Sequence, residues 1–300
     1  MQPAHAYLSQ DRIRALIAGE QFPESTTGSV LFADISGFTP LADALARLYG
    51  ARRGADELTL RLNEVYTLLI SQVEAFGGSV IGFAGDAITC WFAESGKAEC
   101  ESALRAVAAA LAMQQAMQPI AQVKISANTS VQLAIKTAVA SGVVQRFVVG
   151  DPAIQLIDVL AGATLDRMAA AEHLCQMNEL WIDEATAQAL ADQITISEWR
   201  SDAQDERFAR VVRLSGTTAT NLTTTDLTTA NLTTANLTTA NLTTTVDVQD
   251  WVLVALRKRL QEQNGRFLAE LRPATSLFLR FSGLDFDNDS EAGSKLDRFI

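Results

Sequence analysis

Apolar and polar positions change period several times along the chain, and each change marks an element. Ile13, Leu16 and Ile17 share one face between Ser9 and Gly19, with Arg12, Arg14 and Glu20 elsewhere, which predicts a short amphipathic helix. The strand formers Val30-Leu31-Phe32-Ala33-Asp34-Ile35 follow soon after Gly28 and run into a Ser36-Gly37 turn. Leu41 to Tyr49 and Ala55 to Phe76 return to helical spacing. In the second, Leu58, Leu62, Val65, Leu69 and Val73 recur at threes and fours, and Gly77-Gly78 supplies the stop. Ser79 to Phe83 and Ala87 to Phe92 read as the arms of a hairpin about Gly85-Asp86, and Glu99 to Met117 reads as a helix. Val131 to Ala140 and Val143 to Val149 are expected to form another hairpin around Ser141-Gly142. A helix through Leu156 to His173 and a short strand from Leu180 to Ile182 are expected to follow. This mixture predicts an α+β sandwich, a sheet with helices on one face.

Val211 to Val246 breaks the pattern. Pentads of the type Asn-Leu-Thr-Thr-Ala begin at Asn221, Asp226, Asn231, Asn236 and Asn241 and resemble pentapeptide repeats. Stacked repeats need neighbours to bury a core, and five Thr-rich units offset little of the entropy of ordering, so a mobile polar linker is expected. Beyond it, Trp251 to Leu268 reads as an amphipathic helix carrying Arg257, Lys258 and Arg259 on its wet side.

Composition narrows the classes. A formal charge of -11 argues against a nucleic-acid surface, which needs clustered excess Lys and Arg. Cys90, Cys100 and Cys175 are odd in number, and neither His5 nor His173 lies beside one, so a disulfide framework and a zinc site are not expected. The cysteines read as small buried apolar residues in a reducing compartment. Met1 to Gln10 lacks the basic start and apolar core of a signal peptide, and no apolar run approaches the length of a membrane span; the expected location is cytoplasmic.

The chemistry centres on two carboxylates. Asp34 sits where an apolar strand ends, and Gly37 lets the chain turn closely enough to offer backbone N–H groups to an anion. Taken alone, Asp34 would read as the cap of a helix beginning near Thr39. A second carboxylate, Asp86, at the tip of the following hairpin changes that reading. Two acids brought together repel unless a cation lies between them, and Mg²⁺ takes a few hard oxygen ligands, completing its shell with water and phosphates.

With these residues the sequence resembles the class III nucleotide cyclases. Phe32-Ala33-Asp34-Ile35-Ser36-Gly37-Phe38-Thr39 matches the first metal motif of that family and Gly85-Asp86 the second, over roughly residues 25 to 190. The likeness is greatest to the first catalytic domain of the soluble adenylyl cyclases. It implies a ferredoxin-like element order and two ions, Mg²⁺ or Mn²⁺, held by Asp34 and Asp86 with the carbonyl of Ile35 as a further ligand. It also implies that N–H groups from Ser36, Gly37, Phe38 and Thr39 cradle the β- and γ-phosphates of ATP. Lys136 is a candidate phosphate contact, with Lys124 as competitor.

In that family two domains pair head to tail, and each composite site takes its metal-binding residues from one and its purine- and transition-state-binding residues from the other. Here the Lys expected four residues before Asp86 is replaced by Gly82. The Asn and Arg expected after Gly150-Asp151 are replaced by Ile154 or Gln155 and by Asp158 or Val159. Thr275 to Leu284 aligns on Leu31 to Phe38 as the start of a second such domain, with Arg280 in place of the metal-binding Asp and the chain stopping at Ile300. The expected organisation is a helical segment at 1–24, a cyclase domain at 25–210, the pentapeptide linker at 211–246, and a helix with a truncated second domain at 247–300. The chain is thus expected to supply the metal-binding half of a composite site that makes cyclic AMP and pyrophosphate, and to be inactive by itself. The alternatives are a regulatory pseudocyclase that binds nucleotide or bicarbonate, and a dimerisation module. A phosphatase using Asp34 as nucleophile fits less well, because Ser36 stands where those enzymes need a second Asp.

Overall fold

The computed structural model describes residues 7–94, 101–126, 128–215, 248–257 and 281–300. They fall into two units. Met1–Thr26, Val144–Ala163 and Thr243–Ile300 bound the first, Thr27–Val143 and Thr164–Leu242 the second.

In chain order the elements are α1 (Gln10–Ala18), β1 (Ser25–Ser36), α2 (Phe38–Tyr49), α3 (Ala51–Ala75), β2 (Ser79–Ala84), β3 (Ala87–Ala93) and α4 (Glu101–Met117). There follow β4 (Gln122–Ser126), β5 (Thr129–Gln132), β6 (Ala134–Val149), β7 (Ile157–Ala161), α5 (Ala163–Leu174), β8 (Leu180–Asp183), α6 (Glu184–Leu190), β9 (Ile194–Ser201), β10 (Arg207–Leu214) and α7 (Ala292–Phe299).

The second unit is built on a mixed sheet of order β2-β3-β1-β6-β8-β10-β9. β1 and β3 run antiparallel, with Asp34 opposite Ala87, while β6 and β8 run parallel, with Thr137 opposite Leu180. Leu31, Ile35, Ile88, Phe92, Ile135 and Val139 from the strands join Leu41, Leu69, Val107 and Met113 from α2, α3 and α4 in one core. Each such side chain contributes about 1.5–3 kcal/mol of burial, which holds the strand ends in place. The α+β arrangement expected from the apolar pattern is the one found.

Gly77, at φ +70°, turns the chain after α3, and Gly19 in the left-handed conformation closes α1. Cys90 and Cys175 are buried free thiols. Burial pushes Cys90 far up and Cys175 up to about 12, so neither is a nucleophile near neutral pH. No helix among the described residues is long and apolar enough to cross a membrane.

Two expectations are corrected. Ser141-Gly142 is not a hairpin turn, because β6 runs through it without a break. A Cβ on Gly142 would meet Thr164 Oγ1 at 2.8 Å and Arg167 Nη2 at 3.0 Å, so the glycine answers to close packing in mid-strand. Leu156 to His173 is not one helix. Ile157–Ala161 forms β7 and pairs antiparallel with Gln145 to Val149 inside the first unit, and α5 starts only at Ala163. The β4–β5 hairpin and the β9–β10 pair were not anticipated, and β10 carries the sheet on through Leu214. The pentads, Arg280 and most of the segment from Trp251 to Leu268 lie outside the described residues, as does Cys100. Phe281 to Leu284 is described and forms no regular element.

The first unit carries its own charge cluster. Arg146, 4 % exposed, donates from Nη1 to Asp11 at 2.6 Å and from Nε and Nη2 to Asp158 at 2.9 and 2.7 Å. Arg12 Nε adds a bond to Asp158 at 3.0 Å, and the Phe22 ring lies under both guanidinium groups.

Candidate active site

Asp34 is the tenth residue of β1 and Asp86 stands in the turn between β2 and β3. The β1–β3 register brings the two to the same end of neighbouring strands. The Ile35 amide donates to the Asp86 carbonyl at 3.2 Å and ties the tip of β1 to that turn. Tyr66, reaching from α3, donates its hydroxyl hydrogen to the carbonyl of Gly85 at 3.2 Å, and its ring meets Phe83 edge to face. Gly85 adopts φ +66°, which a two-residue turn of this kind requires.

Beyond Asp34 the chain makes its closest approach at Gly37. Its φ is +93°, and a Cβ there would lie 2.2 Å from the Gln132 carbonyl oxygen, so only glycine fits. Gly37 is the N-cap of α2 and no side chain caps that helix; Asp34 therefore does not play the capping role that an isolated carboxylate would suggest. The amides of Phe38 and Thr39 open the first turn without a side-chain acceptor, at the positive end of the helix dipole. Ser36 is buried and its hydroxyl oxygen has no hydrogen-bond partner, an orphaned polar atom directly between Asp34 and the helix start.

The electrostatics are those of an incompletely neutralised pair. Burial, and then the charge of Asp86, hold the Asp34 carboxyl above its ordinary 3.8, while Lys136 pulls it back and Glu172 pushes it further up. Burial and the charges of Asp86 and Asp34 raise the Tyr66 phenol in the same way. Lys136, on β6, lies 3.8 Å from Asp34 Oδ2 and 3.6 Å from Glu172 Oε1 on α5. The strand-borne Lys136 thus lies within reach of the carboxylates; its competitor Lys124 is on β4. Tyr66 and Glu172 escaped the sequence reading. Each is one polar residue in a helical pattern, with no local signal of what the fold brings beside it.

The donor set suits a hard divalent cation. Two carboxylates and nearby backbone carbonyls are oxygen ligands, and among the described residues no group of three or more His, Cys, Asp and Glu gathers as a metal cage. Two side-chain ligands, with the remainder left to water and phosphate, is the pattern Mg²⁺ accepts.

The positions at which the resemblance leads to a Lys, an Asn and an Arg are also placed. A Cβ on Gly82 would meet nothing within 4 Å. In the first unit Ile154 is exposed, Gln155 Nε2 donates to the Trp251 carbonyl at 3.3 Å, and Asp158 is taken up by Arg146 and Arg12. Val159 packs beside Phe147 and Leu296.

Residues 21–206 match the family model of the adenylate and guanylate cyclase catalytic domain. The chain is 23 % identical over 300 residues to adenylate cyclase type 10 of Mus musculus and 24 % identical over 286 residues to that of Homo sapiens, covering 94 % and 91 % of this chain. It spans only 18 % and 17 % of the length of those relatives. Among solved structures, the adenylyl cyclase CyaB from P. aeruginosa superposes with a TM-score of 0.54 at 19 % identity, over 64 % of this chain and 96 % of that one. The guanylyl cyclase Cya2 superposes with a TM-score of 0.53 at 18 % identity, over 65 % and 96 %. At such identities the structures speak for the fold alone. The family match covers more than half of the chain, which therefore belongs to the class III cyclases, the family of the adenylate and guanylate cyclase catalytic domain.

Proposed function

We propose that this chain supplies the metal-binding half of a composite adenylate cyclase site, converting ATP to cyclic AMP and pyrophosphate. The observation that carries it is the meeting of Asp34 and Asp86 at adjacent strand ends, with the Asp34 carboxyl raised by burial and by Asp86. Asp34 and Asp86, with the Ile35 carbonyl, would hold two Mg²⁺ or Mn²⁺ ions. When bound, the ions lower the pKa of the ribose 3′-hydroxyl and neutralise the leaving pyrophosphate. Ser36 to Thr39 bind the β- and γ-phosphates through backbone N–H groups, and the orphaned Ser36 hydroxyl is free to join them. Lys136 takes a phosphate oxygen. The curated relatives by sequence are adenylate cyclases, which supports ATP over GTP.

Gly82 and the engagement of Gln155 and Asp158 leave purine and transition-state contacts to a second cyclase domain, in the same longer chain or in trans. The same observations favour a second reading, a regulatory pseudocyclase that binds nucleotide without turnover. One experiment separates the two. In a chain extended through a complete second domain, turnover should appear, and Asp34→Ala or Asp86→Ala should abolish it with the fold intact. The 300-residue chain alone should make essentially no cyclic AMP, because each missing charge-stabilising group costs on the order of 10²-fold in rate. Robust cyclisation by the isolated chain would sink the composite site, and silence with the second domain present would leave the pseudocyclase.

A further inference from the structure

The Lys136 ammonium stands where a divalent ion would compete for Asp34, and it stands there with two partners. Asp34 Oδ2 is 3.8 Å away and Glu172 Oε1 is 3.6 Å away, on opposite elements, β1 and α5. All three side chains are between 22 % and 31 % exposed, so the charges are neither fully screened nor sealed. Among the described residues no group of three or more His, Cys, Asp and Glu gathers as a metal cage, and Glu172 faces the ammonium at 3.6 Å. Its partner is the lysine.

We infer that Glu172 is a positioning residue for Lys136: it keeps a carboxylate beside the ammonium, so that a metal ion can claim Asp34 and the lysine can turn to the incoming triphosphate. The inference rests on the metal-site reading of Asp34 given above. Its physical content is a difference in what the ammonium loses. With Glu172 present, release of Asp34 leaves the ammonium paired at 3.6 Å. Without Glu172, release of Asp34 leaves a half-buried cation unpaired, and the ammonium stays on Asp34 in competition with the metal. The effect must therefore run through Lys136. A general loss of negative field at the site would instead weaken cation binding whether or not Lys136 is there.

The test is Mn²⁺ binding to the full 300-residue chain, read from the electron paramagnetic resonance of the free ion. Glu172→Gln should weaken Mn²⁺ by on the order of tenfold, and Glu172→Asp should recover most of the loss. In a Lys136→Met background, or Lys136→Gln should Met not fold, the same Glu172→Gln change should have no effect. An equal loss in both backgrounds, or none in the native one, overturns the inference. Asp34→Asn reports separately on the site: if it binds Mn²⁺ as the native chain does, the metal-site reading fails and this inference falls with it. If Asp34→Asn abolishes binding while the Glu172 effect ignores Lys136, only the inference falls.

Discussion

Arg146 and Arg12 in the first unit meet Asp11 and Asp158 at 2.6 to 3.0 Å, whereas in the second unit Asp34 and Glu172 share the ammonium of Lys136 at 3.6 to 3.8 Å, with the Asp86 charge alongside. Both sets are buried or half-buried, yet they respond to burial in opposite ways. Burial works against the charged form of Asp11, but the hydrogen bond and charge of Arg146 outweigh it and hold the carboxyl below 3.8. At Asp34 burial wins with help from Asp86, and the carboxyl lies above 3.8. The first cluster has answered every charge it contains. The second leaves negative charge over, which is costly in a folded protein and useful to one that binds cations.

The comparison can be broken in four places. The largest effect should come from Arg146→Met, which leaves Asp158 to Arg12 alone and takes the Arg146 guanidinium from Asp11, and should destabilise the chain by about 3–5 kcal/mol; urea unfolding measures it. A cost below that of a surface substitution would mean the cluster is not the closed network its distances describe. Gly37→Ala should come next, at about 1–3 kcal/mol for a side chain held at positive φ, increased by the contact with the Gln132 carbonyl. It should also reduce Mn²⁺-ATP affinity, as the start of α2 is pushed away from Gln132, so calorimetry should show both changes together.

Tyr66→Phe removes the bond to Gly85 and should cost about 0.5–1.5 kcal/mol, with weaker Mn²⁺ binding because the Asp86 turn loosens. Unchanged metal affinity would confine Tyr66 to a packing role. The smallest effect, and of opposite sign, belongs to Asp34→Asn. Near neutral pH it should leave stability level or raise it by up to about 1 kcal/mol. Because the folded Asp34 carboxyl lies above 3.8, its charged form is a burden that disappears as pH falls through that raised value, so the advantage of Asn should vanish below pH 3.8. Asp11 runs the other way: the stability it contributes is present above 3.8 and is lost as pH falls below it. Melting curves across acid pH for the native chain and Asp34→Asn separate the two.

What the sequence disclosed and what it withheld follow the range of the signals. Asp34 and Asp86 each sit at the end of a local apolar run, so their arrival at strand tips was readable from those runs and the turns that end them, and β1 with β3 brings them together by ordinary neighbour pairing. Helices α1 and α3 showed themselves by threes and fours, with their glycine stops. Ser141-Gly142 misled because turn-forming residues in mid-strand look the same in sequence whether the chain reverses or a helix side chain packs on them. The charge cluster of the first unit could not be read: Arg146 finds Asp11 across 135 positions and Arg12 finds Asp158 across 146, and no local pattern reports a pairing of that reach. Glu172 was hidden for the same reason, its lysine lying on another element.

The positions at which the family resemblance leads to a Lys, an Asn and an Arg differ in how freely they can be changed. At Gly82 a side chain would enter open space, so that position takes a substitution without displacing a neighbour. Asp158 pairs with Arg146 and Arg12, and Arg146 in turn with Asp11, so an uncharged or basic residue at 158 takes a carboxylate from two arginines at once. Such a position resists single substitutions, and a change there is tolerated only when its partners change with it.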